Sequence, residues 1–96
     1  MKLAYIYILT NKPKGTLYVG STTNLVQRIW HHKNGFVDSF SKKYNLSQLV
    51  YFEQCADIEH MASRERRLKH WNRQWKVDLI EQKNPCWLDL YDEITQ

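Results

Sequence analysis

The chain has 96 residues, of which 43% are hydrophobic and 14% aromatic, so it can form one small domain around a single core. A formal net charge of +4 permits a polyanionic partner. The apolar segment near the N-terminus is interrupted at 10–12, and we expect neither a signal peptide nor a membrane span but a cytoplasmic protein. Cys55 and Cys86 lack CxxC spacing, which predicts reduced thiols without zinc or a disulfide.

The pattern of apolar and turn-forming residues predicts three strands and three helices. The predicted elements are strands 3–10 and 16–20, a helix from 24 to about 33, a strand over 46–52, and helices over 58–71 and 73–82. A polar loop through Lys42 and Lys43 precedes the third strand, and an irregular acidic tail held by Trp87 and Leu90 follows Pro85. The order β-β-α-β-α-α is typical of a small α+β sandwich.

Local signals fix the first boundaries. Pro13 and Gly15 break the first strand and predict a hairpin. Asn24, with Gln27 three residues later, resembles a helix capping box. The Asn34-Gly35 pair tolerates the left-handed conformation that ends a helix.

A carboxylate, Glu65, interrupts an otherwise apolar helix face. At about 100° per residue, Ile58, Met61, Ala62 and Leu68 lie on that face. Burying a bare carboxylate is costly, so the side chain needs a partner. One alternative is a salt bridge to a neighbouring arginine. The other is a single Mg²⁺ or Mn²⁺, hard ions that prefer oxygen ligands, with water and a substrate phosphate completing the shell.

On the earlier helix, Arg28 and His32 are four residues apart and share a face. The simple interpretation makes both of them solvated surface residues. A phosphodiester-cleaving site, however, needs a cation at the non-bridging oxygens and a group that transfers protons near neutral pH, and these residue types supply both. The adjacent His31 points about 100° away and is a weaker candidate.

Tyr7 and Tyr18 lie on the two predicted hairpin strands. A free phenol has a pKa near 10, too high for an efficient base unless a cation or a metal-bound hydroxide lies close. On residue type alone, packing in the hairpin or core is the better interpretation. Tyr5 and Tyr7 would share one strand face, with Ile6 and Ile8 on the other.

Residues 64–76 form a basic segment with interleaved tryptophans. It contains a single acid, Glu65, and could bind a phosphate backbone while Trp71 and Trp75 stack on exposed bases. The candidate nucleic-acid-binding residues are Arg64, Arg66, Arg67, Lys69, Arg73 and Lys76. The alternative is a solvated helix face with two core tryptophans.

In sequence, the chain resembles a GIY-YIG nuclease domain over residues 4–84, and in particular the small stand-alone bacterial members. The residues that carry the resemblance are Tyr5-Ile6-Tyr7, Tyr18-Val19-Gly20, Arg28, His32, Glu65, Leu68-Lys69-His70-Trp71 and Asn84-Pro85-Cys86-Trp87. The ordered set and its spacing are specific, whereas neither tripeptide is specific alone. We therefore expect a GIY-YIG-like domain over 1–84 and a short acidic tail over 85–96.

The resemblance implies a three-stranded antiparallel sheet flanked by helices and a divalent-metal-dependent endonuclease that hydrolyses DNA. The implied catalytic residues are Tyr7, Tyr18, Arg28 and His32, with Glu65 holding one Mg²⁺ or Mn²⁺. One of the two tyrosines would activate water, and the resemblance does not indicate which one. Arg28 would stabilise the pentacovalent charge, and His32 would orient or exchange a proton.

Two positions depart from the family pattern. Tyr5 replaces the first motif glycine, and Ser21 stands where some repair-type members carry lysine. Ser21 and Asn84 are possible site-shaping residues. The substrate would be duplex, branched or single-stranded DNA, as in repair or recombination, with a possible recruiting protein. The alternatives are a non-catalytic nucleic-acid-binding module and a protein-interaction adaptor. The sequence predicts no oligomeric state.

Overall fold

The computed structural model describes residues 3–36 and 39–96. Its elements are strands β1 (Tyr5–Thr10) and β2 (Leu17–Thr22), helices α1 (Leu25–Lys33) and α2 (Ser39–Lys43), strand β3 (Gln48–Gln54), and helices α3 (Ile58–His70), α4 (Arg73–Lys83) and α5 (Tyr91–Ile94). The strands form one antiparallel sheet in the order β2-β1-β3. The predicted α+β class, with a three-stranded antiparallel sheet flanked by helices, is confirmed.

Alternation along the central strand β1 divides the core between the two faces of the sheet. Ile6 and Ile8 point towards α3 and α4, whereas Tyr7 and Leu9 point towards α1. The buried side chains on the first face are Ile6, Ile8, Val19, Val50, Tyr51, Leu68, Ile80 and Trp87. Those on the second face are Tyr7, Leu9, Leu25, Ile29, Leu46 and Leu49.

The ends of α1 follow the sequence signals. The Asn24 side chain accepts a hydrogen bond from the backbone N–H of Gln27 at 3.2 Å, which satisfies a donor that the first turn leaves unpaired. Asn34 is the C-cap, and Gly35 follows with φ = 76°, a conformation that favours glycine.

The structure corrects the predicted element order at two places. The segment predicted as a polar loop contains α2, whose Ser41 is buried. The tail predicted as irregular contains the one-turn helix α5, because the backbone N–H of Leu90 donates to the Leu49 carbonyl at 2.7 Å and anchors the turn on β3. The third strand is Gln48–Gln54 rather than 46–52, because its pairing with β1 runs from Gln48, opposite Thr10, to Gln54, opposite Tyr5.

Two further sequence predictions concern the cysteines and membrane-spanning segments. Cys55 and Cys86 are free thiols, the first half-buried and the second exposed. No helix within the described residues is both long enough and apolar enough to cross a membrane.

Candidate active site

The Tyr7 ring lies over the backbone of Gly20, its partner in the β1–β2 register. A Cβ at position 20 would occupy the space of the ring's Cζ and hydroxyl oxygen. The glycine is therefore required by close approach and not by a left-handed backbone. It allows a side chain from the central strand to cross the edge strand β2.

The Tyr7 hydroxyl joins β1 to α1. Its oxygen lies 3.0 Å from Nε2 of His32 and accepts a hydrogen bond from Nε of Arg28 at 3.3 Å. Tyr7 is 1% exposed and His32 is 5% exposed, so the interaction is almost closed to solvent. The i, i+4 spacing of Arg28 and His32 places both on the helix face that meets the sheet, as predicted.

A buried hydroxyl on α2 sets the tautomer of His32. Ser41 Oγ lies 2.8 Å from Nδ1 of His32 and donates its single proton to the Leu46 carbonyl at 3.3 Å. A hydroxyl carries only one proton, so Oγ accepts from Nδ1–H. Nε2 then accepts the hydrogen bond from the Tyr7 hydroxyl at 3.0 Å. Ser41, His32 and Tyr7 thus form a chain of hydrogen bonds that holds Tyr7 in place.

Burial raises the pKa of Tyr7 from 10.0 to about 12, even though the hydrogen bond and the charge of Arg28 lower it. The phenol is therefore protonated at neutral pH. Its hydrogen bond in turn raises the pKa of Arg28, with a smaller contribution from Tyr18. The guanidinium remains charged and is held against both phenols.

Tyr18 is more accessible than Tyr7. It is half-buried, and its ring centroid lies 5.6 Å from that of His32 and 6.4 Å from that of Tyr7. Together with the influence of Tyr18 on the pKa of Arg28, these distances place all four predicted catalytic residues in one group.

Glu65 lies on the other side of β2. Ser21 Oγ donates to one carboxylate oxygen at 2.5 Å, and Lys69 Nζ lies 2.8 Å from the other. Burial opposes the charged form, but the hydrogen bonds from Lys69 and Ser21 prevail and lower the pKa of Glu65. The expectation that an arginine pairs with Glu65 is wrong, because the cation beside it is Lys69, one helical turn away. Ile58 of the predicted apolar face is 39% exposed.

The residues around Tyr7 and those around Glu65 lie on either side of the edge strand β2. Burial is the main cause of the raised pKa of Tyr7, and the charge of Glu65 raises it slightly further. Gly20 and Ser21 are consecutive residues, so one stretch of backbone places the Tyr7 ring on one side and the Glu65 carboxylate on the other.

The donor set at Glu65 fits one hard cation with an incomplete protein shell. The carboxylate is ionised, its side chain is 23% exposed, and the Ser21 hydroxyl adds an oxygen beside it. Within 3–36 and 39–96, no three His, Cys, Asp or Glu side chains cluster to enclose a metal. Any metal here therefore needs water or substrate oxygens, and Lys69 must move away from the carboxylate.

Among the candidate nucleic-acid-binding side chains, Arg64, Lys69 and Arg73 make contacts within the protein. Arg64 pairs with Glu53 at 3.2 Å and lies 5.3 Å from the Trp71 ring centroid, so it is partly used in structure. Arg73 donates to the Lys14 carbonyl at 2.6 Å. The exposed members are Arg66, Arg67, Lys69 and Arg73, and Lys76 is half-buried. Trp75 is 55% exposed.

Asn84 makes structural hydrogen bonds. Its amide nitrogen donates to the carbonyls of Val50 and Leu88 at 3.0 and 2.9 Å, and its oxygen accepts from the N–H of Leu88. These bonds fasten the end of α4 to β3 and do not join the Tyr7 group. Tyr5, the departure from the motif, is half-buried and packs against the Tyr7 face of the core.

Sequence reasoning missed Ser41. It lies in a segment without clear periodicity, and its contact with His32 depends on how α2 returns to α1. A serine between Phe40 and Lys42 gives no signal of burial, so the sequence offered no means of finding it.

Comparison with known proteins gives consistent matches. The model of the GIY-YIG catalytic domain matches residues 3–78. A UPF0213 protein of Clostridium perfringens is 38% identical over 80 residues, covering 83% of this chain and 85% of that protein. One from Syntrophus aciditrophicus is 34% identical, covering 88% and 97%. The solution NMR structure of a UPF0213 protein of Bacillus halodurans aligns with a TM-score of 0.57 at 28% identity, covering 91% and 92%.

Proposed function

Since the chain belongs to the GIY-YIG catalytic-domain family, a family of nuclease domains, we propose that it is a divalent-metal-dependent endonuclease that hydrolyses DNA phosphodiester bonds. The relatives named above carry no activity in their names. The proposal for this chain therefore rests on the family and on the chemistry of its own residues.

The observation that carries the proposal is the state of Arg28. Its Nε donates to a phenol, and among the ion pairs of the described residues none includes Arg28. A guanidinium held by neutral partners keeps its charge for an anionic ligand. A phosphodiester that develops charge in the transition state is such a ligand.

Burial separates the roles of the two tyrosines. Tyr7 is closed to solvent and donates to His32, so we assign it to positioning Arg28. Tyr18 is half-buried and lies beside the same guanidinium, which favours it as the phenol that contacts the attacking water. His32 orients Tyr7 through Nε2, and Ser41 holds His32.

Glu65 and Ser21 would hold one Mg²⁺ or Mn²⁺ on the opposite side of β2. When bound, the metal would supply Lewis-acid stabilisation of phosphate oxygens and lower the pKa of water. Before it binds, Ser21 keeps the carboxylate ionised and directed, and Lys69 neutralises it.

Duplex, branched and single-stranded DNA are all candidate substrates, with a role in repair or recombination. The exposed cations of α3 and α4 would contact the phosphate backbone. A recruiting protein is a further candidate partner.

A non-catalytic nucleic-acid-binding module is the second candidate, and one observation favours it. Lys69 already neutralises Glu65, as expected if the carboxylate has only a structural role. The two candidates differ in a single property, which is whether Glu65 is required for bond cleavage.

The test is cleavage of plasmid, single-stranded and branched DNA with Mg²⁺, Mn²⁺ or a chelator. Glu65→Gln is compared with Glu53→Gln, a control matched in that both side chains are ion-paired and about equally exposed, at 23% and 22%. We expect Glu65→Gln and Arg28→Ala to lose at least about 100-fold in rate, and Glu53→Gln to stay close to wild type. Cleavage that persists in the first two variants excludes the assigned site. Binding without cleavage under any metal establishes the second candidate.

A further inference from the structure

Aromatic side chains lead from the candidate active site out to solvent. The rings of Tyr7 and Tyr18 lie 6.4 Å apart, those of Tyr18 and Phe40 6.4 Å apart, and those of Phe40 and Tyr44 4.8 Å apart. Exposure rises along this aromatic row, from 1% at Tyr7 to 47% at Phe40 and 42% at Tyr44. The core therefore does not account for the two outer rings.

The surroundings of the outer rings are cationic. Lys42 and Lys43 are exposed on the same helix, and Lys43 Nζ lies 5.5 Å from the Tyr44 ring centroid. The sequence from 28 to 44 carries Arg28, Lys33, Lys42 and Lys43 against one acid, Asp38, which lies outside the described residues. Lys33 is paired with Asp89, so Arg28, Lys42 and Lys43 supply the positive charge considered for this surface. Two copies of this surface would repel each other, whereas a polyanion with flat apolar groups complements it.

We propose that Phe40 and Tyr44 form a stacking surface for unpaired bases of single-stranded DNA whose backbone enters the site at Arg28. This inference rests on the proposed function and specifies its substrate class. Sites that bind single strands combine cations along the backbone with aromatic rings under the bases, and each stacked base contributes substantially to affinity.

The ring spacing distinguishes single strands from duplexes. Bases in a duplex follow one another about 3.4 Å apart along each strand and have no free face. Rings separated by 4.8–6.4 Å and tilted by 30–51° can each take a base only when neighbouring bases have separated. Duplex DNA then contacts only the cations of this surface.

The surface formed by Phe40 and Tyr44 is distinct from the Trp71–Trp75 pair, which the sequence predicted to stack on exposed bases. Those two rings lie 5.9 Å apart at 88°. They belong to the end of α3 and the start of α4, whereas the outer rings of the aromatic row, Phe40 and Tyr44, lie on α2 and directly after it. Trp75 is 55% exposed and lies outside the aromatic row, so it is a suitable control residue for the two outer rings.

The experiment measures binding by fluorescence anisotropy in chelator, so that it does not depend on cleavage. The probes are a short oligothymidylate, an abasic oligonucleotide of equal length and charge, a duplex, and a single-stranded RNA. Phe40→Leu and Tyr44→Leu keep an apolar side chain but remove the ring, and Trp75→Leu is the control. Circular dichroism and sedimentation check folding and association.

We expect oligothymidylate to bind the wild type more tightly than the abasic probe or the duplex. Phe40→Leu and Tyr44→Leu should each weaken that binding by about 5- to 100-fold and leave abasic binding unchanged. Equal affinity for the abasic probe would overturn the proposal, as would an equal loss in Trp75→Leu or tighter binding of RNA than DNA. A wild-type dimer that Phe40→Leu dissociates would assign the surface to self-association. Tight single-strand binding without any cleavage would leave this surface standing and reject the nuclease proposal.

Discussion

Replacement of Gly20 by alanine tests the packing that brings Tyr7 to its partners. The added methyl group would overlap the Tyr7 ring at Cζ, at the hydroxyl oxygen and at Cε1. The ring cannot turn away freely, because it is 1% exposed and its hydroxyl bonds both His32 and Arg28. Overpacking typically costs about 1 to 3 kcal/mol, and a buried hydroxyl that loses its partner costs about 1 to 3 kcal/mol more.

We therefore expect Gly20→Ala to lower the free energy of unfolding by about 2 to 6 kcal/mol. In urea this moves the midpoint down by about 1 to 3 M, taking an m-value of about 2 kcal/mol/M. The control is Gly35→Ala, where the nearest atom is Lys42 Cε at 3.9 Å and only the left-handed backbone opposes the methyl group, at a cost of about 1 to 2 kcal/mol.

A double-mutant cycle decides the cause. In a Tyr7→Leu background, Gly20→Ala should cost less than about 1 kcal/mol, because the ring that it meets is gone. An equal cost in both backgrounds would refute the argument that Tyr7 is what requires glycine at position 20.

Three further predictions follow from the hydrogen bonds of the site. Ser21→Ala should raise the pKa of Glu65, because one of the hydrogen bonds that lower this pKa is lost. Carbon NMR of the Glu65 carboxyl group during an acid titration measures the pKa, and an unchanged value would contradict the assignment. Because burial raises the pKa of Tyr7 to about 12 in the folded state, its contribution to stability is fully present below about pH 10, and about 2 to 3 kcal/mol is lost between pH 10 and 12. The pKa of Tyr51 is also raised by burial, so its contribution falls in the same range in every variant. In urea unfolding, Tyr7→Phe should therefore lose about 2 to 3 kcal/mol less than the wild type over this range, and an equal loss would reject the assignment. Ser41→Ala should destabilise the fold by about 1 to 3 kcal/mol and shift His32 away from the Nδ1–H tautomer, seen by nitrogen NMR; an unchanged tautomer would show that Ser41 does not set it.

The sequence predicted those parts of the fold that depend on neighbouring residues. Asn24 caps α1 through the N–H of Gln27, and Gly35 adopts the positive φ that ends the helix. Both signals lie within a few positions of the structure that they specify. The alternation of Tyr7 and Ile8 along β1 likewise separated the two faces of the sheet correctly.

Contacts between distant segments could not be predicted in the same way. The bond between Ser21 and Glu65 joins residues 44 positions apart, and that between Ser41 and His32 requires a short helix whose sequence has too few turns to show a period. The helix α5 is anchored by the bond from the N–H of Leu90 to the Leu49 carbonyl of β3, a contact between distant segments. The resemblance placed the site residues in order, but the side of β2 on which each one lies came only from the fold.

The same limit applies to the partner of Glu65. Several arginines surround it in sequence, yet the side chain that pairs with it is Lys69, because a helical turn brings position 69 beside it. Arg64 is instead occupied by Glu53 of β3. Charge patterns in a sequence show which partners exist, whereas the packing of α3 decides which one is used.

The most direct test of a metal-dependent site at Glu65 is the rate of DNA cleavage as a function of Mn²⁺ concentration in the wild type and in Glu65→Gln. We expect saturation in the wild type and, in the variant, either no cleavage or saturation at a much higher concentration, with Glu53→Gln following the wild-type curve. Superimposable curves for the wild type and Glu65→Gln would show that Glu65 does not hold the metal.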